Sequence, residues 1–234
     1  MKSEEQLPKK TWADAQDYEL RHAIGFMQED HFQNLFAQFK RGDLMMSKGQ
    51  VNSLILKEFF SNDFGVWQRF ADFVTGKKCM DIGPCVFSPL ATWDLCGERI
   101  AVEPLGAPIV EWQRANLGMS AFDNLALECC GGDEFIPKYE GRIDGAIYCR
   151  NMLDHTPNWP FVLGNISSYA APGCYLLLWS DLHHHGTADD GHFDITESID
   201  AFRRLIKSLG FEIEREFKVG RVQETEYGCV ARRI

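Results

Sequence analysis

Residues 77–105 constrain the fold of this chain more than any other stretch. Cys79-Met80-Asp81-Ile82-Gly83 reads as an apolar strand, near 78–82, that closes in Asp-x-Gly. A stretch that reads as helical follows near 87–96, and Arg99-Ile100-Ala101-Val102-Glu103 reads as a second strand. Two such strands joined by a crossover pair in parallel through a right-handed connection. Asp81 and Glu103 then lie at the carboxyl ends of consecutive strands, the edge of a parallel sheet where ligands bind.

The loop between them narrows the ligand. A dinucleotide fold wants G-x-G-x-x-G, so that bare backbone N–H groups approach a pyrophosphate. Here only Gly83 of that set is present, Pro84 has no N–H to donate, and Cys85 and Phe87 carry side chains. The loop suits a nucleoside ligand without phosphates, and Glu103 is placed for a ribose diol. A nicotinamide dinucleotide is disfavoured on the same ground.

The elements downstream repeat the pattern. Strands are expected near 124–129, 143–149, 173–180, 211–217 and 224–232, and helices near 107–117, 133–138, 158–170 and 195–209. Tyr175-Leu176-Leu177-Leu178-Trp179 is continuously apolar, as a strand buried on both faces must be. The last two strands have only a short link at Gly220 between them and are expected to form an antiparallel hairpin. The fold class is therefore α/β: a Rossmann-like, seven-stranded, mostly parallel sheet with an antiparallel last hairpin, plus an N-terminal helical extension.

Upstream, residues 11–40 read as helical. Phe32, Leu35, Phe36 and Phe39 form one apolar face, and Arg41-Gly42-Asp43 breaks the pattern. Further short helices are expected over Gln50–Phe60 and Phe64–Val74, with Gly76 as a stop. The chain divides into a helical segment, 1–76, and a core domain, 77–234.

Composition excludes several classes. The chain has 234 residues, 45% of them hydrophobic and 25% charged, which suits a soluble globular protein with a sizeable core. No apolar run approaches the length of roughly 20 residues that a membrane helix needs. The first residues lack the apolar heart of a secretory signal, so a cytoplasmic location is expected. A net charge of −10 argues against a nucleic-acid partner. None of the eight cysteines forms C-x-x-C, and the expectation is reduced core thiols rather than a zinc site.

With Asp81-Ile82-Gly83-Pro84 after the first strand and Val102-Glu103-Pro104-Leu105 after the second, the chain resembles the class I S-adenosylmethionine-dependent methyltransferases over about residues 77–234. Cys85 stands where their usual second glycine would be. The resemblance implies a small-molecule methyltransferase that uses S-adenosylmethionine and releases S-adenosylhomocysteine. It implies donor contacts from Asp81, Gly83, Pro84, Glu103 and Pro104. Beyond the third strand it points to Asp133 and Glu134, with Asp133 at the adenine amine; an Asp there is also a common helix cap.

The fourth strand exits through Cys149-Arg150-Asn151, beside the donor's methionine part in similar enzymes, with Asn151 at its amino-acid end. His155 follows in Leu153-Asp154-His155-Thr156-Pro157. It is the candidate catalytic base, because its ordinary pKa lies near working pH, or else a local structural residue. The fifth strand runs into Asp181-Leu182-His183-His184-His185 and then Asp189-Asp190-Gly191-His192. His183, His184 and His185 are expected to face the acceptor. No metal is assigned, although a divalent-metal-dependent O-methyltransferase using residues 183–192 stays open. So does a noncatalytic donor-binding module, given Cys85 and Phe87 in the glycine loop. The expected partner is a small-molecule acceptor with an oxygen or nitrogen nucleophile, and a homodimer is possible. The N-terminal segment is a candidate cover for the substrate cleft.

Overall fold

The computed structural model describes residues 12–48, 59–182, 193, 195, 198–217 and 226–234, with side chains from Ala15 onward. Seven strands form one sheet: β1 (Cys79–Ile82), β2 (Arg99–Val102), β3 (Ala126–Glu128), β4 (Ala146–Arg150), β5 (Tyr175–Asp181), β6 (Phe211–Phe217) and β7 (Glu226–Arg233). Their spatial order is β3-β2-β1-β4-β5-β7-β6. The first five pair in parallel; β7 runs antiparallel to both β5 and β6. The order reverses between β1 and β4, which opens a crevice at their carboxyl ends.

The strands are apolar throughout because both faces are covered. Met80, Ile82, Ile147, Cys149, Leu176 and Leu178 point to one face, where Val162, Ile166, Phe202 and Ile206 meet them. Those four stand on α5 (Trp159–Tyr169) and α6 (Ile199–Ser208). Cys79, Tyr148 and Leu177 point to the other face, against Trp67, Phe70 and Val74 of α3 (Phe64–Val74). Each fully buried aliphatic or aromatic side chain contributes about 1.5–3 kcal/mol.

Three expectations need correction. The helical run 11–40 divides into α1 (Trp12–Gln28) and α2 (Asp30–Lys40), because Glu29 takes an extended conformation (ψ 144°). The stretch 87–96 is not a helix. It holds a single 3₁₀ turn, Pro89–Thr92, begun by Ser88, whose hydroxyl accepts from the Leu90 N–H. The Arg99 guanidinium takes the Leu90 and Ala91 carbonyls that a helix would have used internally. Similarly 133–138 gives only the 3₁₀ turn Pro137–Tyr139. The expected helix over Gln50–Phe60 falls mostly outside the described residues, as do the Gly220 link and His183–His185.

With no helix in the β1–β2 crossover, that side of the sheet is covered from elsewhere in the chain. Ala23, Met27, Phe32, Phe36 and Phe39 of α1 and α2 pack with Val86, Ala91 and Ala101, and with Ile109 of α4 (Gly106–Leu117). Gln113 ties the layers together: its Nε2 donates to the Val86 carbonyl at 2.7 Å. Among the described residues, no helix is long and apolar enough to cross a membrane.

Candidate active site

A cavity of about 230 Å³ sits at the crevice between β1 and β4. Gly83, Cys85, Glu103, Pro104 and Leu105 form one wall, and Gly131, Gly132 and Asp133 another. Asn151, Met152, His155 and Thr156 come from the exit of β4. Helix α1 adds Ala15, Gln16, Glu19 and His22.

Glu103 organises the first wall. It directly follows β2, and its carboxylate accepts from the Cys85 N–H at 2.8 Å and the Leu105 N–H at 3.0 Å. Each oxygen thus holds one amide and keeps acceptor capacity. Burial pushes the Glu103 pKa up to about 7, against the pull of the two amides and the nearby His155. The loop it grips is tight. Gly83 has φ +73° and donates its N–H to the Val102 carbonyl at 2.9 Å. A Cβ there would lie 2.6 Å from Met152 Cβ. Cys85 also has positive φ, +53°, which for a non-glycine residue costs on the order of 1 kcal/mol. The Glu103 bond to its N–H holds it in that conformation.

The remaining sequence-derived positions separate into two groups. Asp133 lies in the wall and accepts from Asn158 Nδ2 at 2.8 Å. Asn151 lines the cavity with φ +49°, its N–H donating to the Trp179 carbonyl. Asp81, Pro84, Glu134, Cys149 and Arg150 do not form the cavity wall. Asp81 is 1% exposed and accepts from the Ser88 hydroxyl at 2.6 Å. The Glu134 carboxylate accepts from the Gly131 N–H, Cys149 is buried in the sheet core, and the Arg150 guanidinium lies over the Trp179 ring.

His155 ends a 3₁₀ turn, Leu153–His155. Its Nδ1 lies 3.2 Å from Glu19 Oε1 of α1. Burial alone would lower its pKa. The hydrogen bond to Glu19 and the charges of Asp154, Glu19 and Glu103 outweigh that, and the imidazole titrates above its ordinary value. Glu19 was not among the positions the sequence singled out. The signal was present: Ala15, Glu19, Ala23 and Met27 form one i, i+4 row of α1, and the other three are buried. A carboxylate interrupting a buried row needs a partner.

No protein-family sequence model matches this chain, and no curated protein matches it by sequence. Solved structures do match in fold. A candidate methyltransferase of Bacillus halodurans is 13% identical, with a TM-score of 0.55 over 73% of this chain and 98% of its own. An S-adenosylmethionine-dependent methyltransferase of Mesorhizobium loti, also 13% identical, gives 0.54 over 71% of this chain and 97% of its own. The N-methyltransferase NodS of Bradyrhizobium japonicum, solved with S-adenosylhomocysteine, is 9% identical, with 0.52 over 73% of this chain and 87% of its own. The chain has the Rossmann-like fold of class I S-adenosylmethionine-dependent methyltransferases.

Proposed function

We propose that the chain is an S-adenosylmethionine-dependent methyltransferase acting on an oxygen or nitrogen nucleophile of a small molecule. The observation that carries this reading is Glu103, a buried carboxylate in the cavity wall, pinned by two backbone amides at the end of β2.

The residues present fit this donor. Ionised, Glu103 offers acceptor positions only, the complement of a ribose diol, whose two hydroxyl donors would favour that form against the burial that raises its pKa to about 7. Gly83, Gly131 and Gly132 keep two walls thin, and a Cβ on Gly132 would come within 2.7 Å of Ile82 Cγ2. Asp133, with Asn158 behind it, would meet the adenine, and Asn151 the amino-acid end. The carboxylates around the cavity complement a sulfonium cation. The loop is poorly built for a pyrophosphate: Pro84 lacks an N–H, and β1 is followed by the short 3₁₀ turn Pro89–Thr92 rather than by the N-terminus of an α-helix.

When bound, the donor supplies a sulfonium methyl, which the acceptor's lone pair takes as the carbon–sulfur bond breaks and its electron pair stays on sulfur. The work left to the protein is alignment, exclusion of water and proton removal. Helix α1 roofs the cavity and limits water. His155 takes the proton of an acceptor O–H or N–H, and returns it to solvent. The net charge of −10 favours a small acceptor over nucleic acid.

Calorimetry with S-adenosylmethionine, followed by methyl-labelled donor and a panel of amines and hydroxyl compounds, tests the proposal. Donor binding and labelled product from at least one acceptor class are expected. Failure to bind donor would contradict the reading. Binding without turnover across the panel would favour a noncatalytic donor-binding module.

A further inference from the structure

We infer that Glu19, on the helix that roofs the cavity, is a positioning residue for His155: its carboxylate holds the imidazole proton on Nδ1 and so leaves the lone pair on Nε2. The purpose of this pair rests on the methyl-transfer reading; the pair itself rests on the Glu19–His155 contact alone.

The two side chains come from segments more than a hundred residues apart in sequence. Glu19 Oε1 and His155 Nδ1 approach to 3.2 Å, and both side chains are mostly covered, at 20% and 23% exposure. A neutral histidine has one protonated nitrogen, and the hydrogen bond made by one nitrogen decides which. A carboxylate is acceptor-only, so the nitrogen within hydrogen-bond reach of one is the donor: Nδ1 lies 3.2 Å from Glu19, whereas Nε2 lies 4.0 Å from Asp154 Oδ1, beyond that reach. Free imidazole side chains favour the opposite tautomer, with the proton on Nε2. Glu19 therefore changes the chemistry of His155 as well as its position.

Among the described residues, the charges that raise the His155 pKa most are those of Asp154 beside it in the chain, Glu19 from α1 and Glu103 from the end of β2. They favour the imidazolium that forms when His155 takes a proton. Glu19 contributes both a hydrogen bond and a charge. An acceptor carrying its own negative charge would meet the Glu19 and Glu103 carboxylates of the cavity lining. The geometry favours acceptors that are neutral or cationic at rest, such as amines and hydroxyl compounds.

Seating of α1 does not depend on Glu19. Ala23 and Met27 are buried with Ala101, Ile109 and Phe122 in the cluster beneath the helix. Variants at position 19 are therefore expected to fold.

The test is nitrogen-15 NMR of the imidazoles in the full chain, with the His155 signals identified by their loss in His155→Asn. The readouts are the tautomer above the imidazole pKa and the pKa itself, with and without S-adenosylhomocysteine. Wild type is expected in the Nδ1–H form, and Glu19→Asp should retain it. Glu19→Ala should return His155 to the Nε2–H form, with a lower pKa, because the hydrogen bond and the charge of Glu19 are both lost. A wild-type Nε2–H tautomer, or identical His155 spectra for wild type and Glu19→Ala, would overturn the inference. Calorimetry of the same wild-type sample with S-adenosylhomocysteine separates the two claims. Absence of binding there sinks the donor reading and leaves the tautomer result standing by itself.

Discussion

Asp81 and Glu103 look alike in the sequence, yet the fold uses them differently. Asp81 pairs with Ala101 in the parallel register, so Asp81 and Glu103 project from the same face, two positions apart. Both are buried, and burial raises both pKa values, to about 8 and about 7. Asp81 is still inside the ladder, one residue before the end of β1, where the Ser88 hydroxyl seals it. Glu103 is one residue beyond the last residue of β2, where turn amides grip it and the cavity reaches it. A shift of two residues along one face separates a carboxylate sealed under the loop from one that lines the cavity.

The largest effect expected concerns the chemistry that this wall serves. His155→Ala should lower turnover by roughly 10²–10⁴-fold with donor affinity little changed. Turnover in wild type should rise with pH through one ionisation above the ordinary His value, because the His155 pKa is raised. A variant with wild-type turnover would make His155 structural and reduce the mechanism to alignment.

Gly83→Val tests the loop that both carboxylates frame. The new Cβ meets Met152, and φ +73° is strained for any β-branched residue. Donor affinity should fall by about a hundredfold or more, with circular dichroism close to native. Full affinity in that variant would place the ligand elsewhere.

Asp81→Asn gives a smaller effect, on stability. A folded pKa of about 8 against an ordinary 3.8 means that the folded state binds more protons between these values. Wild-type stability then falls as pH rises through this window, because deprotonation charges a buried group. Asn cannot titrate, so the stability of wild type relative to Asp81→Asn should decline from pH 5 to pH 9 in urea unfolding. A pH-independent difference would show that Asp81 does not carry this penalty.

Legibility in the sequence followed the kind of force at work. Strands such as Tyr175–Asp181 were readable because burial on two faces demands an unbroken apolar run, and the antiparallel pairing of β6 and β7 followed from the short link between them. The β1–β2 crossover misled, because its conformation is set by side chain-to-backbone bonds from Ser88 and Arg99 that leave no periodic trace. At the site, Gly83, Glu103, Pro104, Asp133, Asn151 and His155 came from motif position and do meet in one cavity. Glu19 did not, because its role depends on a contact across more than a hundred residues. Even so, its place in the buried row of α1 hinted at a hidden partner.

The comparison of the two carboxylates reduces to one calorimetric titration with S-adenosylhomocysteine on three proteins: wild type, Glu103→Gln and Asp81→Asn. Charge-assisted hydrogen bonds contribute about 1.5–3 kcal/mol each, so Glu103→Gln should bind at least about tenfold more weakly than wild type. Asp81→Asn should stay within about threefold of wild type, since its side chain lies off the cavity wall. Equal affinity of wild type and Glu103→Gln, or no binding by wild type, would contradict the account.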